Sequence, residues 1–230
     1  MSAFPDAWRE GVYEAIRRRR DVRAQFCGGE IAPGVLGRIL SAAHQAPSVG
    51  FMQPWDFLVV RASAVRAEVR AAFEKAAAAE ALKMPEGKRE LYLKLKLEGI
   101  LESALNLCVT CDRDRFGRTG LGRTAQPGMD RLSAACAVQN LWLAARAEGI
   151  GVGWVSIVDP AELKTVLGIP GNIDVLAYLC LGPVTHFEER PDLEKAGWAP
   201  RLPLEGLVRL DRWDAKLDGQ WPELARALKT

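Results

Sequence analysis

Two arginines and one aspartate near the start of the chain have residue types and a spacing that could bind an anion. Arg19 and Arg23 lie four residues apart, so their side chains share a face whether the backbone is helical or extended. Guanidinium groups bind phosphate through several hydrogen bonds in a fixed planar geometry. Asp21 joins that face only if the chain is extended. The alternative is that the run Arg17–Arg20 forms a solvated charged surface.

A second set of polar residues lies between two prolines in the middle of the first half of the chain. Ser48 and Gln53 offer hydrogen-bonding side chains, and Gly50 allows the positive φ of a tight turn that approaches a flat or anionic ligand closely. Pro47 ends the preceding helix, and Pro54 favours an extended conformation in the residue before it. The pattern predicts a helix, a turn and a strand, as an ordinary helix-to-strand connection also would.

Alternating glycines occur in the segment Gly149–Ser156, which follows a predicted helix and enters a predicted strand. A dinucleotide-binding fingerprint requires the opposite order, with the glycines after a strand and before a helix. Glycines inside a strand indicate the close approach of a ligand or of another backbone, and a tightly packed core strand is the alternative.

Hydrophobic periodicity predicts the elements that position these residues. Helices are expected at residues 8–18, 35–43, 62–81, 130–149 and 159–167, and strands at residues 55–60, 105–111, 150–156 and 173–181. The strand at 57–60 is expected to be buried. The helix at 130–149 is apolar on nearly all sides, so it is expected at the centre of the domain or at a subunit interface.

The segment 82–102 is amphipathic but less clearly patterned. A break at residues 83–88 is expected to be followed by a second helix over residues 90–101. This segment is either a surface helical hairpin or a mobile cover that excludes water from a site.

Two further patterns that could bind a ligand are interpreted as structural. Cys108 and Cys111 have a C-x-x-C spacing, but a strand places them on opposite faces, so no metal site is predicted. The glycine-rich loop 112–128 lacks the phosphate-binding pattern of a P-loop, so Arg118 and Arg123 are expected to be ordinary loop cations.

Bulk composition excludes several classes of protein. The chain has 230 residues, 49% of them hydrophobic, which favours one domain with a substantial core. Its 31 basic and 29 acidic residues nearly cancel, so no nucleic-acid or membrane-surface partner is indicated. Five cysteines at irregular spacing suit a reducing compartment, and no signal-peptide or membrane-spanning pattern is present. We expect a cytoplasmic protein.

Four blocks of the sequence resemble a single protein family. They are Arg18–Arg23, His44–Phe57, Leu97–Ile100 and Ala137–Ile157, and together they extend over about residues 10–210. These blocks are similar to the flavin-destroying branch of the nitroreductase-like superfamily, the 5,6-dimethylbenzimidazole synthases of vitamin B12 lower-ligand (cobalamin) biosynthesis.

The resemblance implies an α+β nitroreductase-like fold with a central mixed or antiparallel sheet flanked by helices. It also implies a homodimer, in which the helix at 130–149 lies at the interface and a C-terminal extension from about residue 185 wraps the partner subunit. Asp21 and Ser156 would be catalytic. The FMN-binding positions would be Arg19, Arg20, Val22, Arg23, Pro47, Ser48, Val49, Gly50, Gln53, Gly153, Trp154 and Arg201. The flavin ring would lie across Gly153–Ser156.

The implied activity is that of an oxygenase, which fragments reduced FMN with O2 as co-substrate to 5,6-dimethylbenzimidazole and erythrose 4-phosphate. Reducing equivalents would come from a separate flavin reductase, because the chain has no dinucleotide fingerprint. One alternative is an FMN-dependent NAD(P)H oxidoreductase or nitroreductase that retains its flavin. Asp21, where many relatives have serine, favours flavin destruction. A second alternative is a non-enzymatic flavin-binding or flavin-delivery protein.

Overall fold

The computed structural model describes residues 3–117, 121–217 and 221–228, so Arg118 lies outside the described residues. The chain forms two compact units, residues 1–189 and residues 190–230. Residues 190–230 include α7 (Asp192–Lys195), a 3-10 turn at Leu204–Gly206 and α8 (Pro222–Ala227). Arg201 belongs to this second unit.

The first unit contains a four-stranded antiparallel sheet with the strand order β1-β2-β4-β3. The strands are β1 (Trp55–Val60), β2 (Leu105–Asp112), β3 (Ile150–Val155) and β4 (Ile173–Pro183). This sheet, flanked by helices, confirms the predicted α+β class. The prediction that β1 is buried was wrong: β1 is an edge strand, and Leu58 and Val59 are 38% and 37% exposed.

Helices cover both faces of the sheet. The helices of the first unit are α1 (Asp6–Arg18), α2 (Pro33–His44), α3 (Ser63–Lys83), α4 (Glu86–Lys94), α5 (Met129–Ala147) and α6 (Pro160–Leu167). Residues of α2 and α5 share one apolar cluster with the sheet, and residues of α3 and α6 share the other. Cys111 belongs to the first cluster and Cys108 to the second, as the period of a strand predicts.

The helix α5 is buried on one side only, so the centre of the domain is the wrong one of its two predicted positions and a subunit interface stays a prediction. Leu132 is 58% exposed and Cys136 is also exposed, whereas Ala134 and Leu141 are fully buried. The neighbouring α1 has no buried residue. Its apolar side chains are exposed in the same way, namely Trp8, Val12, Tyr13 and Ile16. We call these surfaces of α1 and α5 the exposed helical face.

The segment after α3 differs from its predicted course. The second helix, α4, begins at Glu86 and ends at Lys94, so residues 95–101 do not continue it. Glu98 explains the difference, because its buried carboxylate accepts a hydrogen bond from the Ile100 backbone N–H at 2.7 Å. The guanidinium of Arg66 then holds the Ile100 carbonyl at 2.6 Å. No helix among the described ranges is long and apolar enough to cross a membrane.

Candidate functional site

The segment that carries Asp21 lies beside β3 as extended chain. The backbone becomes extended at Arg19, directly after α1, and the Val22 N–H donates to the Val152 carbonyl at 2.9 Å. This is the conformation that places Asp21 on the same face as the two arginines. One carboxylate oxygen of Asp21 accepts from the Trp154 backbone N–H at 2.9 Å, and the other forms an ion pair with Arg23. Both oxygens of this carboxylate therefore have fixed partners.

Gly153 is required by the backbone of this segment. A Cβ atom at Gly153 would lie 2.1 Å from the Val22 carbonyl oxygen, far inside contact distance. A glycine in a strand indicates the close approach of a ligand or of another backbone, and here the backbone of Val22 approaches it. The space on its Cβ side is filled by Val22, which accounts for the glycine, and the flavin ring across Gly153–Ser156 stays a prediction.

The two arginines of the predicted phosphate site have different environments. The Arg19 guanidinium lies 4.9 Å from the centroid of the Trp142 ring, a cation–π distance. The Arg23 side chain is 12% exposed, and among the described residues its buried Nε has no hydrogen-bond partner. A buried donor of this kind is costly unless an acceptor approaches it. An anionic group of a ligand fits this requirement, but Arg20, Arg70 and Arg123 have the same feature, so it does not single out Arg23.

The side chain of Arg20 contacts three backbone carbonyls. Its guanidinium donates to the Arg17 and Arg19 carbonyls at 2.8 and 2.7 Å and to the Glu189 carbonyl. These contacts fix the chain where α1 ends, since the last carbonyls of a helix lack intrahelical donors. The geometry shows an anchoring role for Arg20, and its assignment as an FMN-binding residue stays a prediction.

Two tryptophans form a wall beside the Asp21 segment. Trp142 and Trp154 have ring centroids 6.2 Å apart, and the Trp142 Nε1–H donates to the Arg20 carbonyl at 3.1 Å. The ring of Trp142 therefore supports Arg19 while its N–H holds the next peptide. Trp142 was not identified from sequence, because a buried tryptophan in an amphipathic helix has the same pattern as one that only packs.

The predicted turn after α2 is present and is stabilised by side chains. The Ser48 hydroxyl accepts from the Gln53 backbone N–H at 3.1 Å, and the Gln53 side-chain amide donates to the Phe51 carbonyl at 3.1 Å. Gly50 has φ 55°, as predicted, but Phe51 and Gln53 also have positive φ, at 52° and 45°, so the extended conformation expected of the residue before Pro54 was wrong. Such conformations cost about 1–3 kcal/mol each in residues other than glycine, and they concentrate at functional sites.

The helix α5 separates this turn from the Asp21 segment. The Val49 N–H donates to the Ser133 hydroxyl at 3.0 Å, in the first half of the helix. Trp142, which contacts the Asp21 segment, lies nine residues further along, or about 14 Å along the helix axis. Within one chain the predicted site is thus in two clusters. Cluster A contains Arg19, Asp21, Val22, Arg23, Gly153 and Trp154, and cluster B contains Pro47, Ser48, Val49, Gly50 and Gln53.

Ser156 lies just beyond the end of β3, two residues after Trp154. It is exposed and lines a cleft of about 420 Å³ between α3 and the start of α6. Ala79, Val158 and Glu162 are among the other residues of this cleft. The hydroxyl of Ser156 is therefore accessible to a ligand.

A buried ion pair near cluster B was missed by the sequence analysis. Asp130 is fully buried and binds Arg113 and Arg123, each at 3.0 Å. Burial acts to raise the pKa of Asp130, but hydrogen bonds and the positive charge of these arginines outweigh it and lower the pKa. Arg123, expected to be an ordinary loop cation, is 8% exposed. Only the tertiary approach of the loop to α5 creates this pair, so no local pattern could reveal it.

Comparison with known proteins identifies the family. Residues 16–183 match the model of the nitroreductase family. A 5,6-dimethylbenzimidazole synthase of Rhodospirillum rubrum is 40% identical over 200 residues, which cover 87% of this chain and 94% of that protein. A protein of the same name from Rhodobacter capsulatus is 40% identical over 202 residues, covering 88% and 97% of the two chains.

The fold is similar to that of a solved structure. The structure of an oxidized iodotyrosine deiodinase, bound to FMN and 3-iodo-L-tyrosine, superposes with a TM-score of 0.68 at 19% identity. The match covers 89% of this chain and 99% of that one. The chain belongs to the nitroreductase family and, within it, to the group of the 5,6-dimethylbenzimidazole synthases.

Proposed function

We propose that this chain is a 5,6-dimethylbenzimidazole synthase, which uses O2 to fragment reduced FMN and releases erythrose 4-phosphate as the second product. The observation that carries the proposal is the Asp21 carboxylate, fixed by the Trp154 N–H and by Arg23. The unpartnered Nε of Arg23 beside it provides a donor for an anionic ligand. The two relatives that are 40% identical over most of their length carry the name of this enzyme.

The residues of cluster A suit the binding of FMN. Arg19 and Arg23 would hold the phosphate, and Trp154 would provide an apolar wall for the flavin. Bound reduced FMN supplies the electrons with which O2 reacts. Asp21 would accept a proton, because its carboxylate is the one held rigidly in this cluster and is 31% exposed. The accessible hydroxyl of Ser156 would donate a hydrogen bond to developing negative charge.

A homodimer would complete the site. Clusters A and B lie at opposite halves of α5, and Leu132 and Cys136 of this helix are exposed. A two-fold axis across α5 places the first half of one helix beside the second half of its copy. Cluster B of one subunit then faces cluster A of the other. The same arrangement would bury the exposed helical face, whose apolar side chains have no other cover in the described chain.

The roles of the second unit and the source of electrons belong to the same proposal. Arg201 would close the phosphate site, and residues from about 185 onwards would wrap the partner subunit. A separate flavin reductase would supply reduced FMN. The cytoplasmic location stays a prediction from composition.

The test is a single aerobic turnover. Purified protein is mixed with chemically reduced FMN, air is admitted, and the flavin absorbance and the product mass are followed together. We expect 5,6-dimethylbenzimidazole to appear with permanent loss of the flavin spectrum. Quantitative return of intact FMN would reject the proposal. Turnover of NAD(P)H with a nitroaromatic acceptor would then identify the retained-flavin oxidoreductase, and its absence would leave a flavin-delivery protein.

A further inference from the structure

The loop that follows β2 packs directly onto the turn of cluster B. A Cβ atom at Gly50 would lie 3.0 Å from the Leu121 carbonyl oxygen, and one at Gly122 would lie 2.8 Å from a methyl group of Val49. Neither glycine therefore has room for a side chain. The loop and the turn are therefore in close contact at both glycines.

Arg115 connects this loop to the backbone on both sides of Pro54. Its Nη1 donates to the carbonyls of Gln53 at 2.8 Å and Trp55 at 3.0 Å. Its Nη2 donates to the Asp56 carboxylate at 2.6 Å. One planar guanidinium thus determines where the carbonyls on both sides of Pro54 point, and so how the turn enters β1.

The turn requires such support. Phe51 and Gln53 have positive φ, which residues other than glycine rarely adopt. The turn conformation is therefore not the one that its own residues prefer. The hydrogen bond from the Gln53 N–H to the Ser48 hydroxyl holds the turn from the inside. Arg115 holds the following carbonyl from the outside. Surrounding contacts of this kind are what maintain a strained conformation.

We propose that Arg115 is a positioning residue for the turn Ser48–Gln53, and through it for the binding of FMN by cluster B. The second part of this inference rests on the proposed function, in which the turn contacts the flavin. The hydrogen bonds of Arg115 go to carbonyls and a carboxylate of the chain, so a role through the turn would affect the affinity for FMN more than the rate of the chemical step at saturating FMN.

The test compares Arg115→Met with two matched variants. Asp56→Asn weakens the carboxylate contact but leaves both carbonyl contacts of Arg115. Arg38→Met removes a bidentate arginine, bound to Glu148 at 2.7 and 2.8 Å on a different part of the surface. Amide hydrogen exchange of peptide 48–55 is measured without flavin, and FMN affinity is measured by titration.

We expect Arg115→Met to accelerate exchange of the Gln53 amide and to weaken FMN binding by about 10- to 100-fold, as expected for the loss of charge-assisted hydrogen bonds. The turnover number at saturating FMN should change less than about threefold, because a positioning contact of this kind acts mainly on binding. Asp56→Asn and Arg38→Met should each change FMN affinity by less than about threefold, the usual range for exposed ion pairs.

Unchanged exchange in Arg115→Met would overturn the inference, as would an FMN affinity equal to that of the wild type. If Arg115→Met does not fold, Arg115→Lys serves instead, since an ammonium group cannot reproduce the planar fork that reaches both carbonyls. The two proposals fail separately. A wild-type protein that does not bind FMN rejects the proposed function, whereas the exchange measurement still decides whether Arg115 holds the turn.

Discussion

Replacement of Gly153 by alanine tests the placement of Asp21 against β3. The new Cβ would lie 2.1 Å from the Val22 carbonyl oxygen, which is a backbone atom and cannot rotate away. The segment must therefore move from the strand. That movement stretches two hydrogen bonds of 2.9 Å, one from the Val22 N–H to the Val152 carbonyl and one from the Trp154 N–H to the Asp21 carboxylate.

The expected cost combines two effects. Overpacking of a close contact costs about 1–3 kcal/mol. Loss of one neutral hydrogen bond and one bond to a carboxylate adds about 0.5–1.5 and 1.5–3 kcal/mol. We therefore expect Gly153→Ala to lower the free energy of unfolding by about 3–5 kcal/mol, with partial relaxation reducing the upper limit.

The assay is urea unfolding at one fixed protein concentration, because association changes the apparent stability of an oligomer. Gly37→Ala is the matched control: it lies in α2, where an added Cβ would have nothing within 4 Å. Alanine should stabilise that helix by up to about 1 kcal/mol. A Gly153→Ala variant that unfolds within about 1 kcal/mol of the wild type would refute the packing described here.

Two further predictions concern the buried ion pair and the thiols. Asp130→Asn should cost about 3–5 kcal/mol, because it leaves Arg123 buried without its charge partner. Because its folded-state pKa is lowered, ionised Asp130 stabilises the fold at pH values above the ordinary pKa of aspartate, and this stability is lost as the pH falls through the folded-state pKa. The Asp130→Asn variant should not show this loss of stability when urea unfolding is measured from pH 7 to pH 2. In the native protein a disulfide reagent should modify exposed Cys27, whereas Cys136 should react only after Leu132→Asp separates the subunits. Full reaction of Cys136 in the wild type would contradict the dimer. Burial raises the pKa of the remaining thiols to about 11 or 12, so these should not react: Cys108, Cys111 and Cys180.

The sequence predicted the elements that local patterns determine. Neighbouring residues determine the helix that ends near Arg18, the positive φ of Gly50 and the helix that begins near Asp159. The structure confirms all three, and the Asp159 carboxylate accepts from the Ala161 N–H at 2.8 Å. The side-chain spacing required an extended backbone at Asp21 if its carboxylate was to share a face with Arg19 and Arg23, and the backbone is extended there.

Features that depend on distant parts of the chain could not be predicted. The reason for Gly153 is the approach of Val22, more than a hundred residues away, and a strand glycine alone does not reveal its neighbour. The early end of α4 follows from the burial of Glu98. The roles of Arg20 and Arg123 depend on which carbonyls and carboxylates the fold brings to them.

The most direct test of the account is the Asp21→Asn variant with reduced FMN and O2. Asparagine retains the shape of the side chain and can still accept the Trp154 N–H, so FMN affinity should stay within about threefold of the wild type, while the weaker base removes proton transfer. We expect FMN to be bound and 5,6-dimethylbenzimidazole to be absent from the product mass spectrum. Formation of 5,6-dimethylbenzimidazole at the wild-type rate would contradict the assignment of Asp21 and with it the account of the site.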